Sequence, residues 1–246
     1  MRASLARLVA LFGSLLLVGT LSACAENAVA PNHDVATPPK DTENVSVVIS
    51  GDVILNGRLF GGDNEPTVIL THMRQNDQTA WFDYAKELVA HGYAALAFDF
   101  RGYGLSTGDQ DEDKLDEDLS AVIQYMHDRG RDEIYLVGAS MGATTSLVVA
   151  GENNVKALVV ISPPAKFESQ DALAAVPGLR APKLFIASEL DAPTLQFEEL
   201  YSAAGEPKEE EILAGNLHGT DLLDPLKNDQ AAAVRDQIID FLDDQR

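Results

Sequence analysis

Cysteine is all but missing from the 246 residues: Cys24 is the only one, so no disulfide can form within the chain. Positive charge is scarce too. Lys and Arg together number 18 against 39 Asp plus Glu, a formal net charge of -21 at pH 7. Nucleic acid is thereby excluded as a partner, because neutralising phosphates needs clustered cations. No Gly-rich dinucleotide fingerprint, phosphate-binding loop or zinc motif occurs, and no cofactor is expected. The acidic stretch DQDEDKLDEDLS, residues 109–120, lacks the central glycine and the twelfth-position glutamate of a calcium loop, so no metal is expected either. Its charges read as a solvated helix face. There is no internal repeat, and no apolar run reaches the roughly 20 residues of a spanning helix.

The chain does carry enough apolar residues, 46%, for one sizeable core. Its N-terminus has Arg2 and Arg7, then the apolar stretch Leu8–Leu21, then Ser22-Ala23-Cys24, the layout of an export signal. LSAC resembles a lipobox, where bacterial lipoprotein signals are cut before a cysteine that receives lipid. An ordinary signal cut after Ala28-Val29-Ala30 and a retained anchor are the alternatives, and Pro31 directly after that tripeptide disfavours the first. The reading is a signal peptide over 1–23, a lipidated Cys24 with a flexible, proline-containing tether to residue 44, and a folded domain over 45–246. Cutting at Cys24 removes two Arg and no acid, which moves the charge from -21 to -23. A domain that acidic is repelled by anionic lipid, so acyl chains would hold it at the membrane. The expected location is the outer side of the bacterial cytoplasmic membrane or the outer membrane, and the expected state a monomer.

From residue 45 onward, apolar β-branched runs alternate with amphipathic segments, the pattern of a mostly parallel sheet covered by helices on both faces. Strands are predicted at 45–50, 53–60, 66–71, 93–99, 134–138, 155–161, 182–187 and 209–213, eight in all. The first three are joined by connections too short for a crossover helix and should run antiparallel. Helices are predicted at about 79–91, 113–129, 141–150, 168–175, 193–204 and 228–244. In the second of these, Leu115, Leu119, Val122, Ile123 and Met126 share a face by 3-and-4 spacing.

In such a sheet, reactive groups gather at the carboxyl ends of strands. Ser140 sits at one, in GASMG between a strand and a helix, where small neighbours suit a sharp turn and the N–H of Met141 opens the helix. A serine hydroxyl needs a base, and the base needs an orienting acid. Of the five histidines, only His72 and His218 lie at carboxyl ends. Asp191 follows the strand 182–187; Glu189, Asp221 and Asp224 are alternative acids.

The order Ser140, Asp191, His218 is that of the α/β-hydrolases. Together with VILTHMRQNDQTAW, LAFDFRGYGLSTG, LVGASMG, LFIASELDAP and NLHGTDLL, it makes the chain from about 47 to 244 resemble a compact serine esterase of the dienelactone-hydrolase-like group. The resemblance implies a Ser140–His218–Asp191 triad and an oxyanion hole from the N–H groups of Met141 and Arg74, with Met73 also part of the hole. Met73 stands where the family usually has glycine. Asp99 and Arg101 would hold loops in place. Residues 162–181 leave no room for a large cap, so an open cleft for a small-molecule ester is expected. His72, Met73, Trp81, Met141, Phe167 and Leu190 are candidates to line it. A peptidase or thioesterase of the same fold, or a binding lipoprotein without turnover, are the other readings.

Overall fold

A computed structural model describes residues 42–191 and 194–246. The signal peptide, Cys24 and most of the tether lie outside the described residues. Eight strands form one sheet: β1 (Glu43–Val48), β2 (Ile54–Phe60), β3 (Thr67–Thr71), β4 (Ala94–Phe98), β5 (Ile134–Ala139), β6 (Ala157–Ile161), β9 (Lys183–Ser188) and β10 (Lys208–Leu213). All eight expected strands are present, with ends shifted by at most two residues, and β1 begins inside the stretch read as tether. The order across the sheet is β1-β2-β4-β3-β5-β6-β9-β10. β1 pairs antiparallel with β2 and β2 antiparallel with β4, while every later pairing is parallel. The first three strands therefore alternate in direction as expected, but β4 lies between β2 and β3. A short loop dictates reversal, not adjacency.

The central strands are buried on both faces, which is why TVILT, AALAF, IYLVGA and ALVVI read as apolar runs without alternation. Successive side chains still part to opposite sides. Ile69, Leu96, Leu136, Leu158 and Phe185 pack with α2 (Leu115–Asp128), α3 (Met141–Ala150) and α5 (Thr194–Ala203). Val68, Leu70, Val137, Val159 and Ile186 pack with α1 (Phe82–Ala90) and α6 (Ala231–Asp243). The five apolar residues predicted to share a face of α2 are all fully buried.

Three expectations change. The helix predicted over 168–175 is a small hairpin of β7 (Lys166–Phe167) and β8 (Gln170–Asp171), and only α4 (Ala172–Ala175) is helical. Asp171 caps α4 by accepting the N–H of Ala174 at 3.0 Å, which starts the helix four residues late. The charges of 109–120 are not all solvated: Asp118 is fully buried and takes three hydrogen bonds from Arg101, two from the guanidinium at 2.9 and 2.6 Å and one from the backbone N–H at 2.9 Å. Trp81, expected to line a cleft, is fully buried among Phe82, Tyr84 and Leu88, because it ends a 3-10 turn whose inner side faces the core.

Candidate active site

β5 runs straight into α3 through Ser140, whose backbone is at φ 49° and ψ -114°. A non-glycine residue in that region is strained, and the surroundings must hold it there. The N–H of Ser140 donates to the carbonyl of Ile161 on β6 at 2.8 Å, and its carbonyl accepts the first helical bond, from Thr144 at 3.0 Å. A Cβ on Gly142 would lie 2.5 Å from the Thr71 carbonyl oxygen, and one on Gly138 2.5 Å from Thr71 Oγ1, so both glycines of GASMG are there to let α3 close onto the end of β3. The small polar residues that follow are buried at no loss of hydrogen bonding. Thr144, Thr145 and Ser146 each return a hydroxyl to the carbonyl four residues back, at 3.3, 3.0 and 2.7 Å.

Asp191 lies three residues beyond β9, and His218 five residues beyond β10. Asp191 Oδ2 is 2.8 Å from His218 Nδ1, and His218 Nε2 is 2.8 Å from Ser140 Oγ. An ionised carboxylate only accepts, so Nδ1 carries the proton and Nε2 accepts the serine O–H. The carboxylate side chain is 6% exposed and the imidazole 31%, while Ser140 is buried, so the chain of bonds meets solvent mainly at the imidazole. Three elements distant in sequence meet here because the parallel sheet brings all their carboxyl ends to one rim. Of the alternative acids, Asp221 pairs with Lys227 at 2.6 Å and Asp224 accepts the N–H of Leu226 at 2.9 Å; Glu189 is exposed.

Two serines that the sequence did not flag hold the histidine loop. Ser188 donates to the Leu217 carbonyl at 2.7 Å, and Ser162 Oγ accepts the N–H of Gly219 at 3.1 Å, so His218 is gripped on both sides. Ser162 is itself at φ 51°. The one available signal was position, since Ser188 ends β9 and Ser162 directly follows β6 at the same rim.

His72, expected near substrate, is fully buried. Its Nδ1–H donates to the Met73 carbonyl at 2.9 Å and its Nε2 accepts the N–H of Phe100 at 3.1 Å, which makes it a neutral imidazole tying two loops. Burial lowers its pKa to about 4, with the Met73 carbonyl and the Asp77 charge pulling it back up. Asp99 is also buried and accepts the N–H groups of Gln78 and Leu105 at 2.7 and 2.8 Å and the Gln78 side-chain amide at 2.6 Å. Burial raises it to about 6 against the pull of those donors. Asp99 and Arg101 thus hold loops, as expected.

Met141, one of the two expected oxyanion donors, is the first residue of α3, and Arg74, the other, lies three residues beyond β3. The first N–H groups of a helix have no intrahelical acceptor, and that of Met141 is among them. The Arg74 side chain lies 2.9 Å from Glu112 and 5.7 Å above the Phe167 ring. Beside it is a hollow of about 310 Å³ lined by Arg74, Gln110, Asp111, Glu112, Asp113 and Glu168. Met141 is fully buried, Met73 is nearly so, and Leu190 is 72% exposed. Among the described residues no group of three or more His, Cys, Asp or Glu is arranged to hold a metal, and no helix is long and apolar enough to cross a membrane.

Such a geometry can pass a proton from serine to imidazole while the carboxylate stabilises the imidazolium. Solved structures share the fold. An esterase from Pyrococcus furiosus superposes with a TM-score of 0.69 at 21% identity over 82% of this chain and 91% of its own, and a dienelactone hydrolase from Anabaena variabilis with 0.67 at 21% over 82% and 97%. An uncharacterised Mycobacterium tuberculosis protein is 27% identical over 187 residues, and the match spans 66% of each chain. The family model described as "Serine aminopeptidase, S33" matches residues 62–214, more than half of the chain and the whole path from β3 to Ser140 and Asp191. The chain therefore belongs to that family of α/β-hydrolases.

Proposed function

We propose that the protein is a serine hydrolase of carboxylic esters, with Ser140 as nucleophile, His218 as base and Asp191 as its orienting acid. The observation that carries this reading is the unbroken hydrogen-bonded chain, 2.8 Å at each link, on a strained turn at the sheet's rim. In the reaction, Ser140 Oγ attacks the ester carbonyl carbon and its proton passes to His218 Nε2. The tetrahedral oxyanion forms against the N–H groups of Met141 and Arg74, each worth about 3 kcal/mol in such sites. Collapse breaks the ester C–O bond, and the leaving alkoxide takes the proton from Nε2. Water then repeats the sequence on the acyl-enzyme, releasing the acid and restoring Ser140. The short excursion between β6 and β9 supports small or protruding esters over long buried chains.

A fluorophosphonate probe tests this directly: the wild type is expected to label at Ser140 and Ser140→Ala not at all. An unlabelled wild type that is also inactive on esters ends the proposal. One feature favours a second reading, an aminopeptidase. The acid-lined hollow beside Arg74 suits a substrate ammonium, and four carboxylates there face one guanidinium. A p-nitrophenyl ester series run beside an aminoacyl anilide and a thioester separates these readings; faster turnover of the anilide would favour the second.

We further propose that the domain is exported and held by lipid on Cys24. The support is the sequence: two N-terminal arginines, an apolar stretch and LSAC. Mass spectrometry of the mature N-terminus should find a diacylated Cys24, and an unmodified terminus beyond residue 24 would reject the anchor.

A further inference from the structure

Met73 departs from the glycine that the resemblance leads one to expect, and its surroundings give that departure a use. Its carbonyl accepts the His72 Nδ1–H at 2.9 Å and the Asn76 N–H at 3.0 Å. In a trans peptide the next N–H points the opposite way, so the Arg74 N–H is turned away from the buried imidazole. The Met73 side chain, 8% exposed, crosses to the histidine loop. Its sulfur lies flat on Gly219, the residue directly after His218: a Cβ there would come within 2.7 Å of Sδ. Thr220 closes the contact. Its hydroxyl accepts the Asn76 side-chain amide at 2.8 Å and reaches Met73 Sδ at 3.8 Å. On its far side, Gly219 donates its N–H to Ser162 at 3.1 Å.

From this arrangement we propose that Met73 is a positioning residue whose thioether clasps the His218 loop to the loop bearing the Arg74 N–H, so that base and oxyanion donor keep a fixed spacing. This rests on the reading of Ser140, His218 and Asp191 as the reacting groups. With glycine at 73 the Met73 sulfur contacts would be gone, and among the described hydrogen bonds the Asn76–Thr220 bond would be left to join the two loops. In this arrangement Met73 contributes preorganisation, through its contacts with Gly219 and Thr220. Misplacement by about 1 Å costs up to ~100-fold in rate, and interactions that matter in the transition state appear in kcat rather than KM.

The test uses the full chain, a short-chain p-nitrophenyl ester, and kcat expressed per site titrated by fluorophosphonate, well below each variant's Tm. Met73→Gly is expected to lower kcat about 10- to 100-fold with KM changed less than about threefold. Met73→Leu, which keeps the volume, should recover most of that loss. Thr220→Val should lower kcat by a smaller factor, and the double variant Met73→Gly/Thr220→Val should lose less than the product of the two single losses, as residues sharing one contact do. Should Met73→Gly not fold, Met73→Ala, Thr220→Val and their double variant carry the same cycle. Unchanged kcat in Met73→Gly, a loss confined to KM, or strictly multiplicative losses would overturn the clasp. An unlabelled and inactive wild type would instead overturn the triad reading, so the two failures are distinguishable.

Discussion

Replacing His72 by Gln should change how stability depends on pH while leaving the fold intact. Gln offers the same donor and acceptor to the Met73 carbonyl and the Phe100 N–H but does not titrate. In the wild type the buried imidazole has its pKa lowered from 6.5 to about 4. Between those two values the unfolded chain binds a proton that the folded one refuses. Stability is therefore lost as pH falls through that window, by about 3 kcal/mol at roughly 1.4 kcal/mol per unit. That is a large share of the roughly 5–15 kcal/mol by which a domain is stable. Asp99, raised from 3.8 to about 6, acts oppositely: its folded form takes up the proton first, so stability is gained as pH falls over nearly the same range. The two opposed slopes overlap, and the wild-type curve alone would conceal both. The difference between wild type and His72→Gln removes the Asp99 contribution. Urea unfolding at pH 7, 6, 5 and 4, followed through the single and fully buried Trp81, supplies that difference. The wild-type advantage should shrink by about 3 kcal/mol from pH 7 to 4, mostly below pH 6. A difference constant to within about 0.5 kcal/mol would show that His72 does not stay neutral by burial.

Other expectations follow from the same contacts. Gly142→Ala puts a Cβ 2.5 Å from the Thr71 carbonyl oxygen, where only backbone can yield; a stability loss of about 1–3 kcal/mol should accompany slower fluorophosphonate labelling, and unaltered labelling would refute the close approach. Asp118→Ala takes away the buried partner of the Arg101 guanidinium and leaves it the longer, 3.5 Å contact to the half-exposed Glu117; it should cost about 3 kcal/mol in urea melts, whereas Asp118→Leu combined with Arg101→Met should cost less than either change alone. Ser162→Ala removes the acceptor of the Gly219 N–H; about 1 kcal/mol of stability and a several-fold drop in kcat are expected, and a drop in neither would show the grip on the histidine loop to be idle.

Much of the fold was legible because central parallel strands are buried on both faces and so appear as uninterrupted apolar runs of five or six residues bounded by turn residues. α2 was legible for the complementary reason, a regular 3-and-4 spacing against one face. What misled were segments whose local signal competes with a tertiary one. The stretch 168–175 has helix-forming alanines, yet the Asp171 cap and the pairing of Lys166–Phe167 with Gln170–Asp171 use its first half for a hairpin. Trp81 is a cleft candidate by residue type and His72 by the resemblance of its loop, but neither signal says which way a side chain turns, and both turn inward.

By itself the sequence determined the strand count, the reversal of the first strands and the three strand ends at which Ser140, Asp191 and His218 lie, because periodicity, loop length and turn composition are local properties. Only the tertiary structure decided that β4 parts β2 from β3, that Asp118 is buried, and that Asp191 rather than Asp221 or Asp224 faces the histidine. It also decided that Met73 meets Gly219 and Thr220 nearly 150 residues away. Those contacts depend on which chain segments the sheet order brings to one rim and which way each side chain turns there, and neither is encoded in any local stretch.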